Sequence, residues 1–85
     1  MIISLGYLIK KNFKFMIHAK HFSLNGESYY TNQNITLFDL IIYFNYNDSL
    51  LVLELNKLIC NKNKWQNIFI TDHDKIEIVT IVGGG

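Results

Sequence analysis

The sequence ends in Gly83, Gly84 and Gly85, and these residues are well suited to presenting a reactive group. Glycine has no Cβ atom, so Gly84 and Gly85 can thread a narrow channel and bring the last carboxyl carbon into an enclosed site. A side chain at Gly85 would crowd the terminal carboxyl carbon, and Gly83 lengthens the glycine segment by about 3.3–3.6 Å. The residues alone leave two interpretations open: a reactive terminal carboxylate, or a frayed terminus without a function.

A cysteine and two histidines are the next candidates for chemistry. Cys60 has no neighbouring base in the sequence, and its place in a short apolar strand predicts a buried small hydrophobic residue rather than a nucleophile. His18 and His21 are three residues apart in a predicted strand, so their side chains should point to opposite faces. We therefore do not expect them to bind a metal ion together.

Two carboxylates near the end of the sequence also require an interpretation. Asp72 and Asp74 flank His73, a residue type that tolerates positive φ better than most, and this spacing favours a turn over a catalytic pair. The sequence has neither a glycine-rich phosphate-binding loop nor the ligand spacing of a zinc site. We predict no metal site and no independent catalysis.

Composition indicates one small globular domain. The chain has 85 residues, of which 49% are hydrophobic and 18% charged, which is typical of a packed domain. The net charge of +1 gives no electrostatic reason to expect nucleic acid or membrane binding. A single cysteine excludes an intramolecular disulfide and fits a reducing compartment. The absence of proline and the abundance of Ile, Asn, Lys, Phe and Tyr indicate A/T-rich coding, as in an organelle genome.

The first fifteen residues are predicted to form a loosely ordered extension. Their apolar run from Met1 to Ile9 is shorter than the ~20 residues of a membrane span. Lysines follow this run instead of preceding it, which is the reverse of a signal peptide. Met16 is open as an alternative start. The predicted division is an extension over 1–15, a domain over 16–82 and a flexible tail over 83–85.

The elements that must position the tail begin with a hairpin. "MIHAKHFSLNG" alternates around Ile17 and Ala19, with Phe22 and Leu24 as further inward candidates, and "ESYYT" is the returning strand. The intervening Asn-Gly pair is a strong signal for a two-residue hairpin turn, because both residues tolerate positive φ.

A single helix should follow the hairpin. Thr36 is a candidate N-cap with Asp39 three residues later, a pattern that resembles a capping box. The apolar stripe at i, i+3, i+4 and i+7 consists of Leu37, Leu40, Ile41 and Phe44.

Three further strands complete the predicted sheet. "SLLVLEL" and Leu58–Cys60 are strands joined by a tight turn at Asn56-Lys57, and Trp65 anchors the polar connection that follows, with Ile68 and Phe69 packing in the core. "KIEIVTIV" is the last strand, nearly continuous in apolar residues, as expected of a central strand buried on both faces. The order β-β-α-β-β-β predicts an α+β domain of the β-grasp (ubiquitin-like) type, with one helix packed on a mixed sheet of four to five strands.

Four stretches between about Phe22 and Gly85 are informative together: "LNGES", "ITLFDLI", "LELNKLICNKNKW" and "DHDKIEIVTIVGGG". In their order and spacing the chain resembles the ThiS family, the small sulfur carriers of thiazole synthesis in thiamine biosynthesis. Three features depart from the family pattern. His73 stands where members usually have glycine, the helix and "NYNDSLLV" are unusually rich in aromatic and aliphatic residues, and the N-terminal extension has no counterpart.

The resemblance implies a protein co-substrate rather than an enzyme. A ThiF-type activating enzyme would adenylate the carboxylate of Gly85 with ATP, and sulfur from a persulfide, supplied by a cysteine desulfurase-type source, would convert it to a thiocarboxylate. ThiG-type thiazole synthase would then accept the sulfur. No cofactor is expected on the carrier, nor any nucleic acid or membrane partner, and the expected location is soluble, in a plastid stroma or a bacterial cytoplasm.

Val79 and Ile81, on the outward face of the last strand, are candidates for binding a partner together with Gly83. Burial of both residues against the second face of the sheet is the alternative. Two other functions are also open. A molybdopterin synthase small subunit shares the fold and the glycine tail, and a ubiquitin-like modifier or interaction domain would have a conjugated or idle tail.

Overall fold

A computed structural model describes residues 19–46 and 50–81 of the chain. They form five strands, one α-helix and one short 3-10 helix: β1 (Lys20–Leu24), β2 (Glu27–Thr31), α1 (Leu37–Tyr43), β3 (Leu51–Leu55), β4 (Leu58–Cys60), the 3-10 helix (Lys62–Lys64) and β5 (Lys75–Thr80). The strands form a single sheet in the order β2-β1-β5-β3-β4. β1 and β5 run parallel and the other neighbours are antiparallel, so the predicted α+β, β-grasp architecture is confirmed.

Both predicted hairpin turns are present and have two residues each. Asn25 and Gly26 have φ values of 50° and 83°, and they join β1 to β2 with Leu24 opposite Glu27. Asn56 and Lys57, with φ values of 53° and 73°, join β3 to β4. Positive φ at both turn residues gives a backbone twist that matches the twist of the flanking strands, which explains why asparagine begins each turn.

Helix α1 begins with the predicted capping box. The Thr36 hydroxyl accepts a hydrogen bond from the Asp39 N–H at 3.0 Å, and the Asp39 carboxylate accepts one from the Thr36 N–H at 2.9 Å. The helix ends at Tyr43, with Phe44 as its C-cap and Asn45 at a φ of 57°. In the described ranges no helix has the length and apolar character needed to cross a membrane.

The core lies between α1 and one face of the sheet. It consists of Phe22, Leu24, Ile35, Leu37, Leu40, Ile41, Leu53, Trp65, Ile70, Ile76 and Ile78. The predicted anchor Trp65 is buried, and its Nε1–H donates to the Cys60 carbonyl oxygen at 2.9 Å. Ala19 is half-buried, and Ile17 lies outside the described residues.

The prediction that Phe69 packs in the core is wrong. Its side chain is exposed, whereas Ile70 is buried and Ile68 is half-buried. Ile70 donates its N–H to the Ile35 carbonyl oxygen at 2.8 Å, and residue 69 forms a bridge with Thr36. Successive side chains of an extended segment point to opposite sides, so burial of Ile70 turns Phe69 outward.

Candidate functional site

The candidate site is the central strand β5, because the predicted reactive tail follows it in the chain. β5 lies between two strands, with Leu24 of β1 beside Ile76 and Leu53 of β3 opposite Ile78. Asn25 links the first hairpin to β5 twice. Its N–H donates to the Ile76 carbonyl oxygen at 2.9 Å, and its Oδ1 accepts from the Ile78 N–H at 2.8 Å. The β1–β2 turn thereby fixes the register of β5.

A buried carboxylate fixes the start of β5. Residue Asp74 is only 7% exposed. Its carboxylate accepts three hydrogen bonds: from the Thr71 N–H at 2.8 Å, the Thr71 hydroxyl at 3.0 Å and the Asn56 Nδ2 at 3.0 Å. The Asn56 Oδ1 in turn accepts from the Lys75 N–H at 2.8 Å. These bonds join the turn before β5 to the β3–β4 hairpin, so Asp74 acts as a structural residue.

The second carboxylate of this turn, that of Asp72, is exposed and is hydrogen-bonded to β1. Asp72 Oδ1 accepts from the His21 N–H at 2.7 Å, and its Oδ2 lies 3.3 Å from the His73 Nε2. The His21 N–H is the main cause that keeps the pKa of Asp72 below its ordinary value, because the bond favours the charged carboxylate. His73 has a φ of 69°, and its N–H donates to the His21 carbonyl oxygen at 2.6 Å. The predicted turn at Asp72–Asp74 is therefore confirmed.

The outer face of β5, on the side of the sheet away from α1, exposes apolar side chains. Val79 is 55% exposed and Ile81 is 50% exposed. Val52 of β3 lies directly opposite Val79, and Leu50 accepts a hydrogen bond from the Ile81 N–H at 2.6 Å. Leu50 is also exposed and Val52 is half-buried. We call these four residues the outer apolar patch.

Of two sequence predictions about β5, one is confirmed and one is wrong. Its central position is confirmed, but burial on both faces is wrong because Val79 and Ile81 are solvent-exposed. Ile76 and Ile78 face the core as predicted, while Thr80, at the end of the same face, is exposed. In residues 19–46 and 50–81 the single α-helix packs on one face of the sheet, and no described helix packs on the outer face. Binding of a partner by Val79 and Ile81 stays a prediction.

The glycines assigned to the reactive tail, Gly83, Gly84 and Gly85, lie outside the described residues, as does His18. Among the residues that are described, no group of three or more histidine, cysteine, aspartate or glutamate side chains is arranged to hold a metal ion. Cys60 is half-buried rather than fully buried. Burial raises the pKa of its thiol, and Lys64 offsets part of that rise, so the thiol stays protonated at neutral pH.

Sequence reasoning did not identify the contribution of β3 to the outer face. Leu50 and Val52 join Val79 and Ile81 only through the antiparallel register of β3 and β5. The same register places Glu54 opposite Glu77, so a carboxylate pair borders the outer apolar patch. Val52 and Glu54 are two residues apart in "SLLVLEL", which indicates that they lie on the same face of the strand. The sequence does not show which strand lies beside β3.

Comparison with known proteins identifies the family. The model of the ThiS family matches residues 22–85. This stretch contains the three terminal glycines and all five strands, apart from the first two residues of β1. This chain belongs to the ThiS family. The match extends over the turn that contains His73.

Individual relatives of this chain are consistent with its membership of the ThiS family. An uncharacterized protein ycf40 of Trieres chinensis is 61% identical over 67 residues, covering 79% of this chain and 92% of the relative. A protein of Bacillus subtilis named sulfur carrier protein ThiS is 36% identical over 50 residues, covering 59% of this chain and 76% of the relative. The crystal structure of the thiamine biosynthesis protein ThiS from Geobacter metallireducens has a TM-score of 0.66 at 18% identity, covering 76% of this chain and 99% of that chain, which supports the fold.

Proposed function

We propose that this chain is a sulfur carrier, and that the carboxylate of Gly85 is the group that carries the sulfur. The observation that supports this most is the ThiS family match through residue 85, which places the glycine tail within the matched segment. The fold supplies what such a carrier needs: a rigid central strand leads toward the tail, and its outer face is exposed.

The carboxylate must first acquire a leaving group. A carboxylate oxygen of Gly85 attacks the α-phosphorus of ATP on a ThiF-type activating enzyme, pyrophosphate leaves, and an acyl-adenylate forms. The terminal sulfur of a cysteine persulfide, supplied by a cysteine desulfurase-type enzyme, attacks the acyl carbon and displaces AMP. A thiol then reduces the acyl disulfide and leaves a thiocarboxylate, whose sulfur a ThiG-type thiazole synthase accepts. The ATP and the persulfide belong to the partner enzymes, and the carrier acts as a co-substrate.

The role of the carrier in this sequence is positional. Gly84 and Gly85 lack side chains, so the acyl carbon can enter an enclosed active site without a clash. The outer apolar patch, and above all Val79 and Ile81, docks on the activating enzyme, while Gly83 spans the distance between the docked strand and the reaction centre. Burial of an exposed aliphatic side chain contributes about 25 cal/mol for each Å² removed from water, which provides docking energy close to the tail.

Intact mass spectrometry tests the proposed chemistry. The full chain is incubated with a ThiF-type activating enzyme, ATP and a persulfide source, and the exchange of one terminal oxygen for sulfur is expected. A Gly85→Val chain, whose added side chain crowds the carboxyl carbon, should show little or no exchange. An unchanged mass of the full chain in a reaction that converts a known ThiS protein would refute the proposal. Attachment of the chain to lysines of other proteins would instead indicate a ubiquitin-like modifier.

Two substitutions test the docking surface. Val79→Asp and Ile81→Asp place a charge in the outer apolar patch, and each should slow sulfur loading by about tenfold or more because the charge must be desolvated on docking. Leu58→Asp is the matched control: Leu58 is an exposed aliphatic residue on the edge strand β4, outside the patch, and its variant should load at the normal rate. Equal loading by all three variants would refute the assignment of the surface.

The sulfur acceptor and the compartment are the remaining parts of the proposal. Rescue of a thiazole auxotroph, without rescue of a molybdopterin-deficient strain, is the expected outcome of complementation. Relatives named ycf40 come from plastid genomes of algae, which supports a plastid stroma as the site of action. Immunogold labelling of the cells that produce the protein tests that location, and label confined to the cytosol would refute it.

A further inference from the structure

Among the described strands, β4 lies at an edge of the sheet, and its outward backbone groups pair with none of them. Leu55 and Leu58 flank a two-residue turn, so they form the hydrogen-bonded pair that closes the hairpin. The next pair, Glu54 and Ile59, is then of the non-hydrogen-bonded kind, and the N–H and C=O of Ile59 point away from β3. In the described part of the chain no strand lies on that side of β4, so the backbone of Ile59 is available for pairing.

The same edge has the two most exposed large hydrophobic side chains of the described residues. Leu58 is 74% exposed and Ile59 is 70% exposed. They border a shallow cavity of about 230 Å³ whose floor includes Leu55 and Ile68. This volume is below the ~300–1,000 Å³ of sites for small organic ligands, so it fits one aliphatic side chain better than a drug-sized molecule.

The charged side chains near the β4 edge indicate which class of partner it binds. Lys64 lines the cavity, Lys57 lies in the adjoining turn, and the lining of the cavity contains no carboxylate. Pairing of two copies of β4 would bring both sets of lysines together, and lysines on edge strands commonly prevent such self-association. A segment that carries carboxylates would instead gain from both lysines.

We propose that the β4 edge binds an extended acidic peptide segment of a partner protein. The segment adds a sixth strand to the sheet by pairing with the N–H and C=O of Ile59. One of its aliphatic side chains fills the cavity beside Leu58, and its flanking carboxylates lie near Lys57 and Lys64. Ile59 lies opposite Glu54, which is outside the outer apolar patch, so the β4 edge and the patch share no residue.

Nuclear magnetic resonance of the full ¹⁵N-labelled chain tests the proposal. The probe is a seven-residue synthetic peptide with a Val-Ile-Val centre and two acidic residues at each end. We expect saturable shifts of the Leu58, Ile59 and Cys60 amides and slower hydrogen exchange at the Ile59 N–H. A peptide with lysines in place of the acidic residues, and one with proline at its centre, should each bind at least about tenfold more weakly, because they remove charge attraction and strand pairing respectively.

Variants of the protein identify the contacts. Lys57→Glu with Lys64→Glu should weaken binding of the acidic peptide by about tenfold and favour the basic one. Ile59→Thr keeps a β-branched residue in the strand and should weaken binding through lost apolar contact while circular dichroism stays unchanged. Absence of shifts at millimolar peptide, or equal binding of the acidic and basic peptides, would overturn the proposal. Shifts of Ile59 that depend on protein concentration alone would also overturn it, because they would assign the edge to a second copy. None of these results depends on sulfur loading.

Discussion

Asp74 should be the polar side chain whose loss most reduces stability. Asp74→Ala removes the acceptor of three hydrogen bonds, two from Thr71 and one from Asn56. A hydrogen bond contributes a net ~0.5–1.5 kcal/mol, and the donors left behind can reach water because Thr71 and Asn56 are exposed. The expected loss is therefore about 3 kcal/mol in the free energy of unfolding. That loss is a large part of the ~5–15 kcal/mol that stabilises a typical domain.

Urea denaturation measures this loss, with Trp65 fluorescence and far-ultraviolet circular dichroism as independent probes. Asp74→Asn keeps one acceptor oxygen, so we expect about half of the loss. The control is Asp72→Ala, which removes a carboxylate from the same turn but leaves the buried network intact, and its loss should be clearly smaller. A loss below about 1 kcal/mol for Asp74→Ala, or one equal to that of Asp72→Ala, would refute the role assigned to the buried carboxylate.

Three further predictions follow from local geometry. Thr36→Ala removes the capping box and should cost about 1 kcal/mol in the same urea titration, whereas Thr36→Ser, which keeps the hydroxyl that accepts from Asp39, should cost much less. His73→Gly should stabilise the domain by about 0.5–1 kcal/mol, because a φ of 69° strains a residue with a Cβ; a lower urea midpoint would contradict this. The hydrogen bond from the His21 N–H is the main cause that lowers the pKa of Asp72 in the folded state. The ionised Asp72 carboxylate therefore stabilises the fold at pH values above ~3.9, the pKa of an unfolded aspartate, and this stabilisation is lost as the pH falls through the lower pKa of the folded state. The stability difference between wild type and Asp72→Asn should thus be constant near neutral pH and shrink below about pH 4.

The sequence was sufficient to predict elements whose local signals agree with their tertiary environment. The Asn25-Gly26 turn, the capping box at Thr36 and the alternation around Ile76 and Ile78 each require only a few neighbouring residues. Phe69 was misassigned because hydrophobicity alone does not show which of three consecutive apolar residues in an extended segment faces the core.

The open face of the sheet required information that local sequence does not contain. "IEIVTIV" is apolar on both sides, a pattern that normally indicates two covered faces. In this domain the outward residues Val79 and Ile81 are exposed, and only the register with β3 shows that Val52 and Leu50 extend the same patch. The cavity beside β4 is likewise formed by residues from separate parts of the chain. Such features depend on long-range pairing, which periodicity does not specify.

The central position of β5 has a consequence for how the protein is made. β5 is the last strand in chain order, yet it separates β1 from β3, so the two hairpins share no ladder until it is inserted. In a nascent chain without residues 75–80, β1 and β3 each have an unpaired edge on the side where β5 would lie, and Ile76 and Ile78 are missing from the core. Contacts between distant residues also slow folding relative to local ones. The sheet can therefore close only after residues 75–80 have been synthesised, and a copy truncated before β5 cannot join its two hairpins.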